Sequence, residues 1–265
     1  MLLLFVVGVR DCCRSTRISH FMQEDTMNVK KAVLILAIVS LIPWTPALLW
    51  GSSEGPGISP DQALSQLTQG NDRYVTGAVK HPNQTAERRK ETATKGQKPF
   101  ATILSCSDSR VPVEILFDSG IGDLFIVRVA GNVADVDEIG SIEYGVDHLG
   151  TPVMLVLGHT RCGAVTAVAK MAEVHGCIPE LVANCEPAVA RAKAANPQMN
   201  IDAVVEEAIK ENAWQSIEDL FVKSEAVRKR VREGQLKVLA AIYDIESGKV
   251  AWMGPHPKEK AMVAQ

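Results

Sequence analysis

The sequence has no surplus of basic residues: 28 Lys and Arg stand against 31 Asp and Glu in 265 residues, a formal net charge of −3. Without excess cations to neutralise phosphates, a nucleic-acid partner is disfavoured. It also has no P-loop, and Gly120-Ile121-Gly122 does not open a helix in a G-x-G-x-x-G pattern. A nucleotide-binding fingerprint is therefore absent. Beyond residue 58 there is no internal repeat and no low-complexity tract. Hydrophobic residues make up 46% of the chain, too many for a disordered protein of such low net charge. What remains is a folded chain long enough to bury a real core.

A long apolar run occurs at residues 32–50, after Lys30-Lys31 and before Gly51-Ser52-Ser53-Glu54-Gly55-Pro56-Gly57. A basic segment, an apolar core and a small-residue exit read as an export signal. Pro43, Pro46 and the missing polar face argue against a buried core helix. The chain divides into an upstream extension at 1–26 that reads as a mis-called start, and a signal peptide or uncleaved membrane anchor at 27–50. A linker at 51–58, one domain at 59–255 and a tail at 256–265 follow. Export to the periplasm is expected, with membrane contact only through an uncleaved anchor of about 18 residues. Setting aside 1–26, with Cys12 and Cys13, leaves Cys106, Cys162, Cys177 and Cys185. In an oxidising compartment Cys177 and Cys185 could pair, or remain isolated buried thiols.

Ser59-Pro60-Asp61-Gln62 supplies an N-cap, a proline at N1 and Gln at N3, so a helix starts there. The charged stretch 80–98, with Arg88-Arg89-Lys90, reads as a solvated face. Short apolar runs at 100–104, 124–129, 153–157 and 236–243 read as strands buried on both faces of a parallel sheet. Helical stretches at 137–149, 163–174 and 200–221 lie between them. The last carries Ile201, Val204, Val205, Ala208, Ile209 and Ile217 on one stripe. Strand alternating with helix predicts an α/β fold with a mainly parallel central sheet flanked by helices. Residues 243–252 read as strand, turn, strand, adding an antiparallel edge strand.

Two clusters carry chemistry: Cys106-Ser107-Asp108-Ser109-Arg110 and His159-Thr160-Arg161-Cys162. Each directly follows a predicted strand, where open α/β sheets place their sites. Two thiolates and an imidazole suit tetrahedral zinc, and three protein ligands leave a fourth position open. Cys162 precedes Gly163 at a helix start, where the helix dipole is expected to lower the thiol pKa. Asp108 has two available roles. It can be a fourth ligand in a closed site, or pair with Arg110 and accept a hydrogen bond from the metal-bound nucleophile.

These residues resemble the β-class carbonic anhydrases. Cys106-Ser107-Asp108-Ser109-Arg110-Val111-Pro112 and Gly158-His159-Thr160-Arg161-Cys162-Gly163-Ala164-Val165 are similar to the family's two signatures. The segments 122–132 and 140–146 resemble its intervening stretches. The resemblance implies one Zn²⁺ per subunit on Cys106, His159 and Cys162, with Asp108 and Arg110 as a dyad. It further implies Gln97 as a substrate-side amide, to which the backbone N–H of Gly163 adds a second donor. The implied reaction is reversible hydration of CO₂ to bicarbonate and a proton through zinc-bound hydroxide, in a homodimer or larger homo-oligomer. A bicarbonate-inhibited subgroup carries Trp where this chain has Ile103, so that regulatory site, for which Arg128 and Tyr243 would be counterparts, is not expected. His148 and His175 are candidate proton shuttles. The alternatives are COS or CS₂ hydrolysis on the same scaffold, or zinc held for structure alone.

Overall fold

The computed structural model describes residues 55–264. The expected extension, signal or anchor, and most of the linker lie outside them. Helix α1 (Pro60–Thr76) opens on the full capping box, Ser59 accepting from the Gln62 N–H and Gln62 answering to the Ser59 N–H. Helix α2 (Ala86–Lys95) buries none of its residues, as a solvated charged face should. Strand β1 (Ala101–Ser105) leads through a short helix α3 (Val113–Leu116) to β2 (Leu124–Arg128), α4 (Val136–Glu143) and β3 (Val153–His159). Helices α5 (Gly163–Ala169), α6 (Ile178–Ala183), α7 (Glu186–Ala195), α8 (Ile201–Lys223) and α9 (Glu225–Arg232) follow. The domain closes with β4 (Lys237–Tyr243), β5 (Val250–Gly254) and α10 (Glu259–Val263). Among the described residues, no helix is long and apolar enough to cross a membrane.

The sheet runs β2-β1-β3-β4-β5, with β1 to β4 parallel and β5 antiparallel to β4. This is the mainly parallel sheet with an antiparallel edge that the sequence predicts. From β1 the chain moves outward to β2, then returns past β1 to lay β3 on its other side. Neighbouring β1 and β3 thus send the chain in opposite directions, and a crevice opens beyond their carboxyl ends. Side chains alternate between two cores. Leu104, Met154 and Val156 face α4, α5, α7 and α8, whereas Ile103, Leu155 and Leu157 face α1 and α3.

Three local expectations are corrected. Strand β2 is half-exposed rather than buried on both faces, because it is the outermost strand and pairs with β1 alone among the described residues. The helix expected over 137–149 ends at Glu143 and continues as a π turn over Tyr144–His148. There the Gly145 carbonyl accepts both the backbone N–H and the hydroxyl of Thr151, each at 3.1 Å, which draws it out of the helical ladder. The helix expected over 163–174 stops at Ala169, where Met171 turns left-handed (φ 52°) and the Ala172 N–H caps Ala167.

A half-buried arginine and a buried carboxylate tie α1 to the end of α3. Arg73 Nε donates to Asp118 Oδ2 at 2.5 Å, and the N–H groups of Lys80 and His81 donate to the same carboxylate at 2.9–3.1 Å. Burial pushes the Asp118 pKa up, but these donors outweigh it and the net shift is downward.

Candidate metal centre

The crevice collects the two clusters. Cys106 follows the last residue of β1, His159 ends β3, and Cys162 is the N-cap of α5; all three side chains are buried. Arg161, left-handed at φ 58°, turns the chain so that Cys162 comes back towards His159. One ligand atom from each of the three residues lies within 4.8 Å of the others.

The donor set fits a soft divalent metal. His159 Nδ1 sits 2.9 Å from the Thr160 carbonyl, which can only accept, so Nδ1 carries the proton and Nε2 presents its lone pair. That Nε2 is buried without a hydrogen-bond partner among the described residues. A bare acceptor nitrogen beside two sulfurs is costly unless something binds it. The neighbouring Cys162 thiol, with His159 and the N–H groups of Gly131 and Asp108, lowers Cys106 to about 4 against burial. The same contact and burial push Cys162 upward. The N–H groups of Ala164 and Val165 at the head of α5 act in the expected lowering direction, but the two neighbouring sulfurs share one proton, which rests on Cys162.

Asp108 stands beside this group but outside it, with Oδ2 3.9 Å from His159 Nε2. Arg110 grips it as a fork, Nε to Oδ1 at 2.9 Å and Nη2 to Oδ2 at 2.7 Å, while the Arg110 N–H reaches Oδ1 at 2.9 Å. The Arg110 hydrogen bond holds the carboxyl well below the usual carboxylate range. Both oxygens are thus engaged by the dyad in this structure.

Sequence reading missed the residues that hold this loop. Arg128, considered above only as a counterpart of a regulatory pocket, donates to the Cys106 carbonyl at 3.0 Å and the Asp108 carbonyl at 2.6 Å. An arginine closing the apolar strand Leu124-Phe125-Ile126-Val127 was the available signal. Gly131 donates its N–H to Cys106 Sγ at 3.3 Å. Ile103 is wholly buried within the sheet.

The other expected residues are more scattered. Gly163 is the first residue of α5 and lines a cavity of about 640 Å³ with Arg161, Thr166, Lys170 and Glu206. Gln97 is exposed ahead of β1, whereas Cys106 follows the opposite end of that strand. His148 lies in the π turn with its ring 4.7 Å from that of Tyr144, and His175 is exposed beside Glu173. Cys177 is exposed and Cys185 buried, both as free thiols, so no disulfide joins them. Burial, first, and the neighbouring Cys106 push Cys185 to about 12, so it stays protonated.

Residues 101–250 match the carbonic anhydrase family. The chain belongs to the β-class carbonic anhydrases. It is 37% identical over 199 residues to carbonic anhydrase 2 of Mycobacterium tuberculosis, covering 73% of this chain and 93% of that protein. With the carbonic anhydrase of Mycolicibacterium smegmatis identity is 35%, over 74% and 94% of the two chains. The fold agrees with the β-carbonic anhydrase CafA of Aspergillus fumigatus at a TM-score of 0.61 and 24% identity, over 77% and 96% of the two chains. A tetrameric β-carbonic anhydrase of Sordaria macrospora superposes at 0.57 with 20% identity, over 73% and 98%. The enzyme class is therefore that of a carbonate dehydratase.

Proposed function

We propose that the enzyme interconverts CO₂ and bicarbonate with one Zn²⁺ per subunit held by Cys106, His159 and Cys162. The observation that carries this reading is the buried, unpartnered His159 Nε2 between two thiols and beside an arginine-locked carboxylate. When bound, zinc supplies the Lewis acidity that brings the pKa of a water molecule to about 7.

Asp108 orients the nucleophile. Ionised and gripped by Arg110, it can only accept, so the attacking oxygen must donate its O–H to Asp108 and turn a lone pair elsewhere. The depressed pKa also decides what Asp108 does not do: near neutral pH it is too acidic to store the released proton. The N–H of Gly163 supplies a donor for the developing bicarbonate oxygens. Within one subunit β1 separates Gln97 from Cys106, about 16 Å along the strand. Its amide can serve only in the site of a second copy. The uncovered β2 edge and the tetrameric relative support a homo-oligomer.

Metal analysis of the purified protein with stopped-flow CO₂ hydration tests the reading. One zinc per subunit is expected, lost together with activity in Cys106→Ser. Full activity in that variant would sink it, and faster turnover of COS than of CO₂ would move the substrate assignment. Export rests on residues 27–50, and cell fractionation with and without them tests it.

A further inference from the structure

Gly131 sits between a ligand cysteine and helix α8. Its N–H points at Cys106 Sγ, and its carbonyl accepts from Asn212 Nδ2 at 2.6 Å. One turn along α8, Ser216 donates to the next carbonyl, that of Asn132, at 2.8 Å. Gly131 is left-handed (φ 79°), and a Cβ there would lie 3.1 Å from Cys185 Sγ and 3.2 Å from Ala164 Cβ. The position therefore requires glycine, and glycine has no side chain to fix its own torsions. The Asn132 N–H closes the turn on the Val129 carbonyl at 3.0 Å, and a contact from outside the turn adds a second hold on the same peptide.

Asn212 is 1% exposed, and its Oδ1 has no hydrogen-bond partner among the described residues. The amide orientation is nonetheless set, because flipping it would bring its oxygen against the Gly131 carbonyl.

We propose that Asn212 is a positioning residue for the metal centre. It clamps the carbonyl side of the peptide whose N–H already bonds the Val129 carbonyl, and the two holds together keep the Gly131 N–H on Cys106. The inference rests on Cys106 being a metal ligand, as proposed above. Ser216 clamps the peptide one step further on and provides a control for loosening of the turn in general.

The test replaces zinc with Co²⁺, whose thiolate-to-metal charge-transfer band reports the electronic state of the sulfur. An N–H donor stabilises the sulfur lone pairs, so losing it moves the band to longer wavelength. Asn212→Ala and Asn212→Leu, the latter keeping the side-chain heavy-atom count, are expected to shift the band and to weaken retention against a chelator about 10–100-fold. Ser216→Ala is expected to lower Tm with the band in place. An unshifted band in a folded Asn212 variant overturns the proposal whatever its Tm, as does an equal shift in Ser216→Ala. A wild-type protein with no thiolate band fails at an earlier point, the ligand assignment itself.

Discussion

Asp108 and Asp118 flank helix α3, and both meet an arginine, yet the two sites are built for different work. Asp118 has a side chain only 1% exposed, and backbone N–H groups from a separate loop complete its shell. Asp108 is 17% exposed, and its partner Arg110 is two residues away and 52% exposed. The first pair fastens α1 and its following loop to α3. The second holds one carboxylate in one plane beside the Cys106–His159–Cys162 cluster, and only the Arg110 guanidinium reaches further, to the Arg161 carbonyl at 3.4 Å. A carboxylate that joins remote segments contributes to stability, whereas one locked by its own loop is free to face a substrate.

Parallel substitutions can break this contrast. Asp108→Asn keeps the shape but loses the ionised acceptor, and CO₂ hydration should fall about 10–100-fold with little change in Tm. Equal activity by stopped flow would erase the distinction. Asp118→Asn should do the reverse, costing about 2–3 kcal/mol because Arg73 and the loop N–H groups lose a charged partner. For a domain of this size that is a fall of about 5–10 °C in Tm, with activity per folded molecule unchanged.

Acid sharpens the same point. The folded pKa of Asp118 is depressed, so its contribution is complete above the unfolded value of about 3.9 and is lost as pH falls through the folded value. The Tm gap between wild type and Asp118→Asn should therefore narrow below about pH 4. A gap that widens there would reverse the sign of the linkage. The smallest effect belongs to the exposed Arg161–Glu246 pair at 2.8 Å. Glu246→Gln should cost less than about 1 kcal/mol by denaturant unfolding, marking the floor against which Asp118 is measured.

Much of this was legible in the sequence because it is local. The apolar runs fixed β1 and β3 to within two residues at either end, and Cys106, His159 and Cys162 sit at or just beyond the carboxyl ends of those strands. The capping box of α1 and the dyad spacing are likewise short-range signals. What sequence reasoning lost depends on partners far along the chain. The π turn needs Thr151 to take the Gly145 carbonyl, and Gly131 needs Asn212 from α8. The exposure of β2 depends on its place at the sheet edge, which five apolar-rich residues do not announce. Helices α6 and α7 had the weakest signals, short segments whose N-caps, Cys177 and Cys185, form no side-chain cap. The proton shared between Cys162 and Cys106 follows from their contact, invisible before β1 and β3 are adjacent.

The divergence of the chain at β1 and β3 also sets an order of assembly. Arg110 reaches the Arg161 carbonyl across a separation of 51 positions, so the two halves of the centre meet only when a long loop closes. His159 and Cys162 lie within one turn of each other and can be close in an unfolded chain, but Cys106 joins them only through β1–β3 pairing. A cation that engages all three side chains therefore rewards the long-range pairing and not its local precursors.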